Sequence, residues 1–184
     1  MKKFELTAEF VTNVFGKTLF RIKALVAFGN VEKGELGGFI EKEDNLSHSG
    51  NAWVSGNAWV SGNALVSGDA LVSGDAWVSG NAWVSGNALV SGDARVSGNA
   101  LVSGDADYAV VTGFGHCFRA TTFFRCKDKM LRVQCGCFYG DLAQFREIVK
   151  KTHGDSKYAK EYLAIADLME LHFSDEEKNQ EADK

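Results

Sequence analysis

The sequence predicts a mainly β fold: a left-handed parallel β-helix of about three coils, with an N-terminal β cap and a small C-terminal α+β domain. Three observations carry that prediction. A six-residue unit recurs nine times from Ser49 to Val102 without an insertion. Its valine and alanine positions never slip. Glycine is 20 of 184 residues and proline is 0, and each unit places its glycine at the same point. Such regularity describes a stacked solenoid in which no single unit buries its own face. The chain divides into a β cap (1–44), the helix (45–107), an α+β domain (108–173) and an acidic tail (174–184).

The unit reads V-S-G-(N/D)-A-x. Valine and alanine flank x in one short extended run, so they share a face and x points the other way. Ser-Gly-Asn/Asp supplies the turn, because these residues tolerate left-handed backbone angles. An aliphatic first position and a small fifth position form the hexapeptide pattern of left-handed β-helices. Three units then close one coil, and the nine units from Ser49 to Val102 fill three coils. At a strand spacing of about 4.8 Å these stack over roughly 14 Å.

Folding the sequence at every third unit sorts x into three outward columns. One holds Trp53, Leu71, Leu89 and Asp107. A second holds Trp59, Trp77 and Arg95. The third holds Leu65, Trp83 and Leu101, with Ser47 below. All four tryptophans of the chain lie on these columns. Solvated faces carry polar residues, so outward Trp and Leu mark a binding or oligomer surface, or one the chain itself covers. Self-association is the expected form of cover. The uncharged Leu65, Trp83, Leu101 column belongs at its centre, and the Trp59, Trp77, Arg95 column at a rim.

Phe4 to Leu6 and Thr18 to Leu25 alternate as strands, and Gly37-Gly38-Phe39-Ile40 leads into the repeat. This segment caps a solenoid end that would otherwise expose unpaired strand groups. Beyond the repeat, Tyr108 to Thr112, Thr121 to Cys126 and Leu131 to Phe138 read as three strands. Asp141 caps a helix to about His153, where Gly154 stops it. Asp155 or Ser156 caps a second helix through Phe173. Tyr158, Tyr162, Ile165 and Met169 form its apolar stripe.

The net charge of -4 gives no reason to expect a nucleic-acid partner. The charge is lopsided at the C-terminus. From Arg119 to Lys160 there are ten basic and four acidic residues; from Glu161 to Lys184 there are two basic and eight acidic. Arg119, Arg125, Lys127, Lys129 and Arg132 form a basic patch on one hairpin, which fits phosphate or is neutralised by the acidic tail. No apolar run reaches membrane-spanning length, and no secretory leader opens the sequence. The expectation is a cytoplasmic protein without a membrane contact.

Chemistry-bearing residues are few. Cys117, Cys126, Cys135 and Cys137 lie within 21 residues. Read on one strand, Cys135 and Cys137 share a face and could ligate one metal, but the paired C-x2-C spacing of zinc sites is missing. The expectation is reduced thiols, no metal and no cofactor. His116 beside Cys117, and His153, carry no nucleophile signature. Ser49 to Val102 contains no histidine. That argues against a β-helical acyltransferase, which needs a histidine base on a coil.

Leu36-Gly37-Gly38-Phe39-Ile40-Glu41-Lys42-Glu43-Asp44-Asn45-Leu46-Ser47, leading into Gly50-Asn51-Ala52-Trp53-Val54, resembles the start of hexapeptide-repeat proteins common in bacterial prophages. Cys135-Gly136-Cys137-Phe138-Tyr139-Gly140-Asp141-Leu142, with Phe145, His153 and Tyr158 to Leu163, is similar to their C-terminal domain. The resemblance implies a phage accessory protein, in the host cytoplasm if phage-encoded. It would be non-enzymatic and bind a host protein, for instance to inhibit a defence system. The alternatives are a hexapeptide-repeat acyltransferase and a metal-stabilised inhibitor of a host nuclease.

Overall fold

The computed structural model describes residues 2–174. The acidic tail lies outside the described residues, Ser174 apart. Strands β1 (Phe4–Thr12), β2 (Thr18–Ala24) and β3 (Leu36–Ile40) open the chain. Strands β4 to β12 are nine two-residue strands, one per repeat unit, from Trp53–Val54 to Leu101–Val102. Strands β13 (Tyr108–Val111), β14 (Thr121–Arg125), β15 (Leu131–Cys135) and β16 (Phe138–Asp141) precede helices α1 (Leu142–His153) and α2 (Lys157–His172).

The middle of the chain is a β-solenoid. Residues three units apart pair in parallel register, as in Trp59 with Trp77 and Val60 with Val78. Three faces result: β3-β5-β8-β11, β4-β7-β10 and β6-β9-β12. Every valine and alanine of the repeat is buried, which places the core along the solenoid axis. Two faces reach a fourth rung, because Phe39 pairs with Trp59 and Leu46 bridges to Val66. The solenoid therefore has about four turns, not three. The first turn escapes the repeat count because its spacing to the next turn is longer than three units. Phe39, Ile40 and Leu46 stand there where later turns have x and valine. The longer spacing also puts Leu46, not Ser47, against the Leu65–Val66 strand.

Corners need glycine for two reasons. Gly56 to Gly98 all have φ between +59° and +70°, a region costly to a side chain. Stacked corners also touch: a Cβ on Gly74 would lie 2.9 Å from the Gly92 amide nitrogen. Beside the glycines runs a ladder of side chains, with Asn63 Nδ2 donating to Asn81 and Asn81 Nδ2 to Asn99, each at 3.2 Å.

Backbone amides point toward the C-terminal end, as in Trp53 N–H to Ala70 O at 3.0 Å. The N-terminal end thus presents bare carbonyls, and the cap supplies donors. Lys3 Nζ donates to Ala52 O at 2.8 Å and Gly50 O at 3.3 Å. Asn45 Nδ2 donates to Ala64 O at 2.7 Å and Gly62 O at 3.1 Å. The C-terminal end presents bare amides and receives acceptors. Asp107 Oδ2 accepts from the Ser103 and Gly104 amides, and Thr122 Oγ1 from the Arg95 amide. Asp107 thus leaves its assigned column and closes the solenoid end from a 3-10 turn over Asp105–Asp107.

The C-terminal sheet has four strands, β13-β14-β15-β16, where the sequence suggests three. Gly136 at φ +58° reverses the chain, so residues 131–138 make a hairpin and not one strand. Phe124 of β14 joins the solenoid core, while Phe123 packs the other way against Phe145 and the helices. Asp141 and Gln144 form a capping box at α1, and Ser156 caps α2. No described helix is long and apolar enough to cross a membrane.

The corners and the cap each set a stability expectation. Gly92→Ala, with open space around its Cβ, costs about 1 kcal/mol for its backbone angle alone. Gly74→Ala adds a backbone clash and costs at least ~2 kcal/mol; urea melts of the two variants check the order. Burial lowers the Lys3 ammonium from 10.5 to about 8, against the opposing Asp69 carboxylate. Between those values the unfolded chain holds more protons, so this group's contribution to stability rises with pH there and is flat below. The stability of wild type relative to Lys3→Met should therefore increase from pH 7 to pH 9.5.

Candidate functional site

The solenoid side chains that point outward were the candidates, and the three faces treat them differently. On the first, Trp53 is outward but only 2% exposed. Phe28 meets its ring edge-on at 5.4 Å. Gly37 lacks the Cβ that would fall 2.7 Å from Trp53 Cζ2. The N-terminal segment folds over this indole, so Trp53 is core and not surface. Above it Leu71 and Leu89 remain open, at 37% and 42% exposure. Tyr108 donates its hydroxyl to the Leu89 carbonyl at the end of that face.

On the second face, the rings stack within the chain. Arg21 lies 4.4 Å from the Phe39 ring, Trp59 meets Trp77 edge-on at 5.6 Å, and Arg95 lies 5.4 Å from the Trp77 ring. Phe15, from the β1–β2 turn, leans over Trp77 at 6.3 Å. Trp59 and Trp77 are half-buried as a result. The cations at both ends are positioned for cation–π attraction.

On the third face, Trp83 is 42% exposed between half-buried Leu65 and Leu101. Its Nε1 donates to Ser67 Oγ at 2.8 Å, which fixes the indole against the coil. The first and third faces share the corner of Asn51, Asp69 and Asn87. Asn51 Nδ2 donates to Asp69 there at 2.9 Å. Leu71, Leu89 and Trp83, with Leu65 and Leu101, therefore flank one polar corner. This is the surface the nine candidates leave for binding.

The basic patch does not assemble into one phosphate site. Arg125 Nη2 donates to the Phe173 carbonyl at 3.0 Å, and its Nε lies 3.8 Å from Asp107. Arg132 pairs with Asp128 at 2.8 Å. Lys127 and Lys129 are exposed on the β14–β15 turn, and Arg119 lies apart, beside Gly136. The helix ends and acidic neighbours that engage two of these arginines are invisible to a count along the sequence.

All four cysteines are free thiols. Cys135 ends β15 and Cys137 sits in the turn before β16, so they do not share a strand face. Among the described residues no group of three or more potential ligands is placed to hold a metal. A cavity of about 270 Å³ does gather chemistry. Phe138, Phe145 and Val149 line it beside His116, Cys135 and His153. Tyr162 closes it, its phenol pushed up to about 12 by burial, with the Cys135 thiol adding to the effect. Thr121 donates to the Cys135 sulfur at 3.2 Å, and His153 stacks on Tyr162 at 5.8 Å. These contacts knit the α–β core.

Sequence reading missed Lys3, Phe28 and Asn45. Lys3 precedes buried Phe4 in an alternating strand, a pattern that would ordinarily put the amine in solvent. Asn45 carries the one signal: an amide directly before an inward aliphatic residue, Leu46.

Residues 59–74, 64–80, 82–97 and 94–106 are similar to the YdcK beta-solenoid repeat. The matched segments lie within the solenoid and its closing turn. No curated protein matches the chain.

The two exposure classes separate by mutation. Trp53→Ala removes a buried indole and should cost about 3 kcal/mol or more, in the roughly 3–5 kcal/mol range for core aromatics. Trp83→Ala should cost under about 1 kcal/mol. Chemical denaturation monitored by circular dichroism distinguishes them.

Proposed function

We propose that this is a non-enzymatic binding protein that presents the Leu71, Leu89 and Trp83 surface to a protein partner, in the first instance a second copy of itself. The observation that carries this reading is the exposure of three large apolar residues on strands of two adjacent faces, Leu71 and Leu89 paired on one and Trp83 across the polar corner on the other. Monomers rarely leave such a surface open, and a two-fold contact covers it symmetrically. Rigid placement lowers the entropy cost of docking. The reading includes left-handed winding, favoured by the six-residue units with alanine at the small position. It excludes acyl transfer. The histidine nearest the repeat, His48, accepts the Lys3 amide at Nδ1 and stacks on Phe4 at 4.3 Å, so it is tied into the cap.

The partner beyond self is assigned from resemblance. The Leu36–Ser47 and Cys135–Leu142 stretches resemble prophage proteins, and on that basis we place the protein in the bacterial cytoplasm, bound to a host protein of a defence system.

Light scattering tests the self-contact. Wild type should be a dimer at micromolar concentration, and Trp83→Glu should weaken it by about tenfold or more, ~1.4 kcal/mol. Arg95→Glu, on the face already packed within the chain, should have little effect. A wild-type monomer at that concentration overturns the reading.

A further inference from the structure

A second cavity, of about 650 Å³, opens between the solenoid and the C-terminal sheet. Its solenoid wall carries Asp75, Asp93 and Arg95. Its opposite wall carries Cys117, Arg119 and Cys137. Phe118, between two of these, holds φ +52° and is 70% exposed. A bulky residue in that region is costly and persists where the surroundings impose it. Its two neighbours, Cys117 and Arg119, both line the cavity. Two guanidinium groups, two carboxylates and two exposed thiols thus share one space large enough for a small ligand.

We propose that this cavity is an S-thiolation site, at which Cys117 forms a mixed disulfide with a small acidic disulfide of the glutathione type. The cavity holds groups of opposite charge for both kinds of charge on the ligand. Each half of such a disulfide bears two carboxylates, one ammonium and one sulfur. Arg95 and Arg119 suit the carboxylates, since guanidinium binds carboxylate through charge-assisted and often paired hydrogen bonds. Asp75 or Asp93 suits the ammonium. A nucleic-acid phosphate chain offers no cation to the two aspartates.

Cys117 is the sulfur placed to react. Cys126 is buried, and Cys135 is held by Thr121 in the α–β core. Cys137 is exposed, but the imidazole nearest to hand serves the other thiol: His116 Nδ1 lies 3.5 Å from Cys117 Sγ. His116 takes the thiol proton, and the thiolate sulfur attacks one sulfur of the incoming disulfide. That S–S bond breaks as the new one forms, and the other half leaves as a thiolate that takes up the proton. The Cys117 thiol is oxidised to the mixed disulfide, and half of the disulfide is reduced to free thiol.

The test follows adduct formation by intact mass with two probes, oxidised glutathione and the uncharged hydroxyethyl disulfide. Wild type should gain one glutathionyl group, and Cys117→Ser should lose it. Arg95→Gln combined with Arg119→Gln should slow the glutathione reaction by about tenfold, the effect of removing charge-assisted contacts. The same double variant should lose much less rate with hydroxyethyl disulfide than with oxidised glutathione, since the uncharged probe makes no carboxylate contacts, and its circular dichroism spectrum should match wild type. An adduct retained in Cys117→Ser overturns the assignment of the sulfur. A double variant that reacts with oxidised glutathione as fast as wild type overturns the site.

Discussion

Parallel pairing between residues one turn apart is the constraint on which the rest of the structure depends. The hydrogen bonds between turns all run in the same sense, from an amide to a carbonyl of the next turn, while alanine amides close the corners within a turn, as in Ala58 N–H to Ser55 O. Inside the stack this satisfies the polar groups without help from side chains. At the ends it cannot, and a buried unpaired backbone group is costly. The two ends are also chemically unlike. One offers acceptors and takes the Lys3 ammonium and the Asn45 amide; the other offers donors and takes the Asp107 carboxylate and the Thr122 hydroxyl. The N-terminal hairpin and the C-terminal sheet are therefore not interchangeable lids.

The caps also determine which outward residues remain available. A cap that reaches down to meet end groups lies over the nearest rungs. Phe28 and Gly37 cover Trp53, and Phe15 covers part of Trp77. Leu71 and Trp83 sit on the middle rungs of their faces, while Leu89 is 42% exposed on the last rung of its face, where Tyr108 donates to its carbonyl. Exposure on this solenoid follows which side chains the N-terminal segment lies over as much as residue type. The cavity bearing Arg95 and Cys117 arises in the same way, as the space left where the C-terminal sheet meets the last rung of a face.

The parts legible in the sequence were those decided by short-range rules. The repeat period set the inward valines and alanines, and Asp141, Gly154 and Ser156 marked the helix limits. The parts that were not legible depend on pairing between distant segments. Phe39, Ile40 and Leu46 belong to the first turn only because later strands pair with them. Trp53 looks like Trp83 in its unit, and only the fold of residues 28–37 distinguishes them. The Gly136 turn is local, yet alternation across residues 131–138 mimics a continuous strand. Among the site candidates the columns were right in register, while their exposure and the dispersal of the basic patch required tertiary contacts.

Near-identity of the repeats carries one more consequence. Because Gly stacks on Gly and Val on Val between the middle turns, a block of three units could be added or removed there without creating a new kind of contact. The body would grow or shrink by about 4.8 Å per step. A change of one or two units would instead rotate the far cap by one or two faces relative to the near one. The scaffold thus behaves as a graduated spacer: whole-turn changes reset the separation of its two ends, while partial-turn changes reset their relative orientation.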